Sequence, residues 1–298
     1  MDPSLAREQF RQLLCTAGLA EHAQTIAGLA QVAIGLTQDQ DARVWSRLGG
    51  RPRMPVGQVP TRRGEPLRLL AQLDLAELHP FDIDGLLPRD GVLSFFLCDY
   101  LDDRDFASGH NTSDRSGFAV IHTPESELPD RADGPPPPDQ WEFDTPVRAQ
   151  SIMTWPDLAL LEMEDLDLTE EQRDAYWQLS MHLRGYDDLL DSDDPLRLVP
   201  LPCSPAPEHR LLGTPDHVQS DTRPRAAAML RGIDEGREPT VDETWKDAPE
   251  ARQWRLLLQL GEGESFTWCD GGAVYFNIRI NDLAAARFDR CWFEMQSG

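Results

Sequence analysis

Two side-chain pairs in this chain have the types and spacing of a clamp for an anion or a peptide backbone. Arg68 and Gln72 stand four residues apart in PLRLLAQLDL (66–75), and Arg255 and Gln259 repeat the interval in WRLLLQLG (254–261). A guanidinium presents a rigid fork of N–H donors, and a primary amide presents a donor and an acceptor together. Two such pairs converging on a groove would bind a carboxylate or a main chain by directed hydrogen bonds, with Arg47 and Trp268 at the rim. Asp270 stands at a turn beside them, where an Asp before Gly serves turn geometry or acid/base work. The alternative is structural: each Gln bonds a neighbouring loop and each Arg pairs with a local acid.

The elements that must position these residues are strands. At period two, Leu67, Leu69, Ala71, Leu73 and Leu75 share one face, and Arg68, Leu70, Gln72 and Asp74 share the other. In the second segment Trp254, Leu256, Leu258 and Leu260 oppose Arg255, Leu257 and Gln259, so an Arg-x-Leu-x-Gln face recurs in register. The flanks match as well: Leu48-Gly49-Gly50-Arg51-Pro52 against Leu212-Gly213-Thr214-Pro215, and Asp90-Gly91-Val92-Leu93-Ser94-Phe95 against Gly271-Gly272-Ala273-Val274-Tyr275-Phe276. This order implies a diverged internal duplication of a β-rich unit, with halves at 31–123 and 205–298. A Pro-rich acidic segment and a helix (124–204) join them in one domain spanning 1–298.

Around this frame, Asp2-Pro3 predicts a capped N-terminal helix with Ala6, Phe10, Leu13 and Leu14 on its apolar stripe. A short helix over 21–27 and a strand from Gln31 follow. Residues 92–98 are apolar on both faces, which predicts a central strand, and a strand is expected over 147–155. Thr169 and Gln172 form a capping box that opens a helix ending at Gly185. Short helices are expected at 225–231 and after Asp282, and a last strand at 290–295. The acidic stretches 99–116 and 187–194 and the Pro135–Pro138 run read as solvated excursions.

With 298 residues, 40% hydrophobic, the chain can bury a large core. Its net charge of −24 repels nucleic-acid phosphates and anionic lipid, so the expected partner is a basic protein, with a small molecule as the other class. No nucleic acid or membrane partner is expected. Five scattered cysteines without a CxxC pair, and an N-terminus lacking a basic then apolar pattern, point to a reduced, cytoplasmic protein. Seven scattered histidines without HExxH or zinc spacing predict no metal, and the absence of GxxxxGK[ST] and GxGxxG predicts no nucleotide cofactor. No catalytic residue is assigned.

Several blocks carry a family resemblance. They are Ser46-Arg47-x-Gly49-Gly50-x-Pro52 with Pro55, LLAQLDLAEL at 69–78, Leu87-Pro88-x-Asp90-Gly91-x-Leu93-x-Phe95-Phe96, Leu211-Leu212-Gly213-x-Pro215 with Val218-Gln219, LLLQL at 256–260, Trp268-x-Asp270-x-Gly272-x-x-Tyr275-Phe276, and Gln296-Ser297. In this order they resemble the YwqG-like family, formerly domain of unknown function 1963. One departure is Val59-Pro60, where the family usually has Trp-Pro. The resemblance implies an α+β fold in which two β-rich repeats form a mostly antiparallel sheet with flanking helices. It implies no reaction. Association of some members with bacterial toxin systems suits an immunity-like role, in which an acidic binding protein neutralises or docks a basic partner. The alternative is an enzyme, a hydrolase or tailoring catalyst, with its pocket between the halves at Arg68, Gln72, Arg255 and Gln259.

Overall fold

The computed structural model describes residues 1–98, 115–129, 143–186, 196, 199–236, 249–263, 267–268 and 270–298. The acidic stretches at 99–114 and 187–194, the proline run at 135–138 and Cys269 lie outside the described residues.

The alternating segments form strands β1 (Gln31–Gln38), β2 (Arg47–Gly49), β3 (Thr61–Arg62), β4 (Glu65–Pro66), β5 (Arg68–Asp74), β6 (Val92–Leu97), β7 (Phe118–Thr123), β8 (Asp144–Thr154), β9 (His209–Leu212), β10 (Trp254–Leu260), β11 (Ala273–Arg279) and β12 (Trp292–Gln296). Ten of them make one sheet in the order β12-β11-β10-β9-β1-β8-β2-β5-β6-β7, while β3 and β4 pair with each other. Every pairing is antiparallel. The middle of the sheet is the long β1–β8 ladder, from Gln31 opposite Thr154 to Gln38 opposite Val147. From there one arm runs β9-β10-β11-β12 and the other β2-β5-β6-β7.

The expectation that 92–98 is central needs correction. β6 is next to the edge, yet all its residues are buried. The sheet curls so that the two arms face each other: the Phe95 and Phe276 rings sit 5.2 Å apart, and Phe118 of β7 packs 5.7 Å from both Trp292 and Phe293 at the opposite edge. Arg115 fastens the edges by donating to the Cys291 carbonyl at 3.0 Å and to the Asp289 carbonyl. Doubly apolar strands therefore mark the overlap of two arms here, and the middle strand β8 carries exposed polar positions at Arg148 and Gln150.

Helices cover a second core. Helix α1 (Pro3–Thr16), capped by Asp2, and α2 (Ala23–Leu29) bury Phe10, Leu14 and Ile26 in one core with Val32 and Met153 of the middle ladder and Trp155 just after it. After the single turns α3 (Leu75–Leu78) and α4 (Leu161–Glu164), helix α5 (Glu170–Leu183) joins this core through Tyr176, Leu179 and Leu183. Its capping box is formed, with Thr169 Oγ1 accepting from Gln172 N and Gln172 Oε1 from Thr169 N. Helix α6 (Arg223–Asp234) packs on β10 and β12. The last helix, α7 (Ile280–Ala284), begins two residues before Asp282, which lies in its first turn instead of capping it.

Where each arm leaves its inner strand, the chain takes two left-handed residues: Gly49 and Gly50 at the end of β2 (φ +66° and +77°), and Leu212 and Gly213 at the end of β9 (φ +61° and +73°). A side chain at Gly49 would put Cβ 2.1 Å from the Phe143 carbonyl oxygen. Leu212 holds the same backbone conformation with a side chain, which is buried in the core.

Candidate functional site

The two Arg–Gln pairs are divided by the same irregularity. β5 pairs with β6 so that Gln72 opposes Ser94 and Arg68 opposes Leu97, with a register shift between Leu69 and Ala71. Paired residues share a face, and Ser94 and Leu97 are three apart, so Arg68 and Gln72 point to opposite sides of the sheet. β10 repeats this: Gln259 opposes Tyr275, Arg255 opposes Ile278, and the shift falls between Leu256 and Leu258. The shared Arg-x-Leu-x-Gln face expected from strict alternation is absent from both strands, because the central Leu is a bulged residue.

Each Gln closes its own arm's turn. Gln72 accepts from Arg53 N (2.8 Å) and donates to the Arg51 carbonyl (3.0 Å). Gln259 accepts from Asp216 N (2.9 Å) and donates to the Glu208 carbonyl (3.3 Å). Both amides are buried and bonded to main chain on each side, the arrangement buried polar groups require. Trp268 is also internal: its indole N–H donates to the Gly261 carbonyl at 2.9 Å, closing the β10–β11 connection. Asp270 is exposed, and its carbonyl accepts from Gly298 N at 2.8 Å.

Cross-strand from the two glutamines stand Arg47 and Arg210. Arg47 pairs with the exposed Asp144 at 2.8 Å. Arg210 is fully buried and pairs with Asp216, which Arg184 also reaches at 3.1 Å while holding Asp157 at 2.7 Å. Burial alone would raise the Asp216 carboxyl, but Arg210 and Arg184 hold it below the usual carboxylate range. Arg210 lies five residues before Pro215, as Arg47 lies five before Pro52, so the correspondence was readable. The burial of one pair and exposure of the other was not.

On the same side of the second arm, Glu294 faces Tyr275 across β11–β12. One carboxyl oxygen accepts from Gln296 Nε2 at 3.1 Å; the other is buried without a hydrogen-bond partner. Burial pushes this carboxyl up to about 7, against the opposing pull of Arg225. The folded state thus binds a proton that the unfolded chain releases between about pH 4.5 and 7, so this group's contribution falls as pH rises through that window. Glu294→Gln should raise stability by roughly 2 kcal/mol at pH 8 and change it little at pH 4.5. Denaturant midpoints at the two pH values check this; an equal effect at both would contradict the assignment.

Arg255 is the member of the four that lines a described opening. A cleft of about 440 Å³ is walled by Gly85, Leu86, Leu87 and Pro88 from the first arm's connection and by Ile280, Leu283, Ala284 and Ala286 around α7. Arg255 and Ile280 also border a smaller chamber of about 120 Å³ that includes Glu162, Arg223, Arg252 and the Gly213–Pro215 backbone. Arg223 and Arg252 are engaged by Asp221, Glu162 and Asp165. Among the described residues Arg255 has no hydrogen bond or ion pair, and its Nε is buried without an acceptor. Burial pushes its pKa down, partly offset by Asp84. Gln72, Gln259, Arg68 and Trp268 do not line either chamber. The wall at 85–88 and α7 had no signal in the spacing of the Arg–Gln pairs.

A single curled antiparallel sheet, backed by helices and opening at a cleft between its arms, defines an α+β protein. The chain matches the model described as Domain of unknown function (DUF1963) over residues 46–297, and it belongs to that family. The match starts just before β2, so β1, half of the central ladder, precedes it. No curated protein matches the chain.

Proposed function

We propose that this chain is a non-catalytic binding protein that docks a basic protein partner on an acidic face built on α5. The observation that carries this reading is one stripe of that helix: Glu170 and Asp174 are exposed and lead, at i, i+4 and i+7, to Trp177, a large aromatic left 46% exposed. Glu171, Asp167 and Glu164 add exposed carboxylates alongside. Arginines are engaged in ion pairs with neighbouring acids, as with Arg148–Asp39, Arg223–Glu162 and Arg290–Asp234, so fewer of them offset the exposed carboxylates of α5. An exposed Trp within an acidic field suits a partner offering Lys or Arg around an apolar patch, by cation–π contact and electrostatic steering. A basic toxin-like effector has that chemistry, and binding would mask its positive surface.

The enzyme reading places its pocket at the cleft between the arms. The described lining of the larger chamber offers Arg255 as its sole ionisable side chain, and the carboxylate of the adjoining chamber, Glu162, is held by Arg223, which supports binding over chemistry. We also infer that the halves 31–123 and 205–298 descend from one duplicated unit. The matched bulges, Gln bridges and left-handed turns support that descent.

The test is co-isolation from producing cells at low salt. Wild type should recover a basic protein, and the combined variant Glu170→Lys, Asp174→Lys, Trp177→Ala should lose it. A variant reversing charge at Asp41 and Glu65, exposed positions outside α5, should retain it. Recovery of free chain alone, or equal recovery by all three proteins, would overturn the reading.

A further inference from the structure

An acidic protein whose described residues leave a guanidinium unpaired at an apolar opening has reversed its own charge pattern at that spot. Net charge is −24, yet the two chambers meeting at Arg255 and Ile280 are bordered by three arginines and one glutamate. Arg223 and Arg252 are neutralised by neighbouring carboxylates; among the described residues the one negative group acting on Arg255 is Asp84, which makes no ion pair with it. A buried N–H without an acceptor is costly, so an incoming acceptor gains more there than at a hydrated surface arginine. On the other side of the guanidinium, the larger chamber presents Leu86, Leu87, Pro88 and Leu283, and its volume of about 440 Å³ is in the range of small-molecule sites.

We propose that this cleft binds a small amphipathic carboxylic acid, with its carboxylate on Arg255 and its apolar body between residues 86–88 and α7. A simple cation is disfavoured by the guanidinium, and a fully polar anion would leave the apolar walls uncovered. The duplicated position distinguishes the two arms: Arg68 occupies it in β5, is buried and has partners, whereas Arg255 remains available. This proposal stands on the cleft and is independent of the acidic face on α5.

The test is calorimetric titration of the full chain with octanoate, octanol and octylammonium. Octanoate should bind saturably at one per chain, at least about tenfold tighter than octanol, with no saturable heat from octylammonium. Arg255→Met should weaken octanoate at least about tenfold without lowering the melting temperature, because the guanidinium it removes holds no partner among the described residues. Ala284→Trp, at an exposed position on the apolar wall, should weaken octanoate and octanol alike. If Arg255→Met fails to fold, the expected stability is wrong and the Ala284 variant still tests occupancy. Equal affinity for octanoate and octanol, binding unaffected by either substitution, or no saturable binding by the wild type would overturn the assignment.

Discussion

Gly49→Ala should cost at least about 4 kcal/mol, a large part of the stability of any domain. Two terms add. The φ of +66° penalises any L side chain by about 1–2 kcal/mol, and the new Cβ would lie 2.1 Å from the Phe143 carbonyl oxygen, a backbone atom that cannot turn aside. Relieving the overlap means parting β2 from the start of β8, where Gly49 opposes Asp144, and thereby weakening one arm's attachment to the central ladder. Gly57→Ala is the control: its φ is +82°, but nothing lies within 4 Å, so only the conformational penalty of about 1–2 kcal/mol is expected. Denaturant unfolding of both variants checks this. Similar losses would show that the close approach to Phe143 is not what fixes that turn.

Asp216→Asn should cost about 3 kcal/mol, whereas Asp144→Asn should cost about 1 kcal/mol or less. These two acids serve matching arginines, Arg210 and Arg47, but in different surroundings. The Arg210 side chain is 2% exposed and depends on Asp216, which also meets Arg184; Asp144 is half exposed and water can replace it. Removing one partner of a buried pair leaves the other charge uncompensated, and that penalty outweighs the pair's own attraction. The pH dependence follows. Asp216 is held below its unfolded value, so its contribution is present above the unfolded carboxylate pKa and is lost as pH falls through the lower folded value. Stability of wild type and both variants at pH 7 checks the contrast, and wild type should converge on Asp216→Asn on strong acidification. Equal costs for the two substitutions would remove the distinction between the arms.

Much of the fold was legible because local signals agreed with it. Asp2-Pro3, the Thr169–Gln172 box and the alternating leucines of β5 and β10 marked elements where the structure has them. The bulges at Leu70 and Leu257 were not legible, since a run of leucines reads the same with or without one extra residue. That single phase change separates each arginine from its glutamine and turns an expected clamp into two structural bridges and, at Arg255, a guanidinium without a hydrogen bond or ion pair among the described residues. Position in the sheet was hidden for a similar reason: β6 is apolar on both faces because the arms fold over each other, a long-range fact that no local window contains. Trp268 looked like a rim residue, but its N–H is used by a carbonyl seven residues earlier.

The most direct measurement of the functional account is the affinity for the recovered basic partner as salt is raised, for wild type and for Glu170→Lys with Asp174→Lys. Docking through the α5 face requires wild-type affinity to fall steeply with salt and the double reversal to weaken binding at least about tenfold at low salt, the gap closing as screening increases. Affinity indifferent to salt, or unchanged by the reversal, would contradict it.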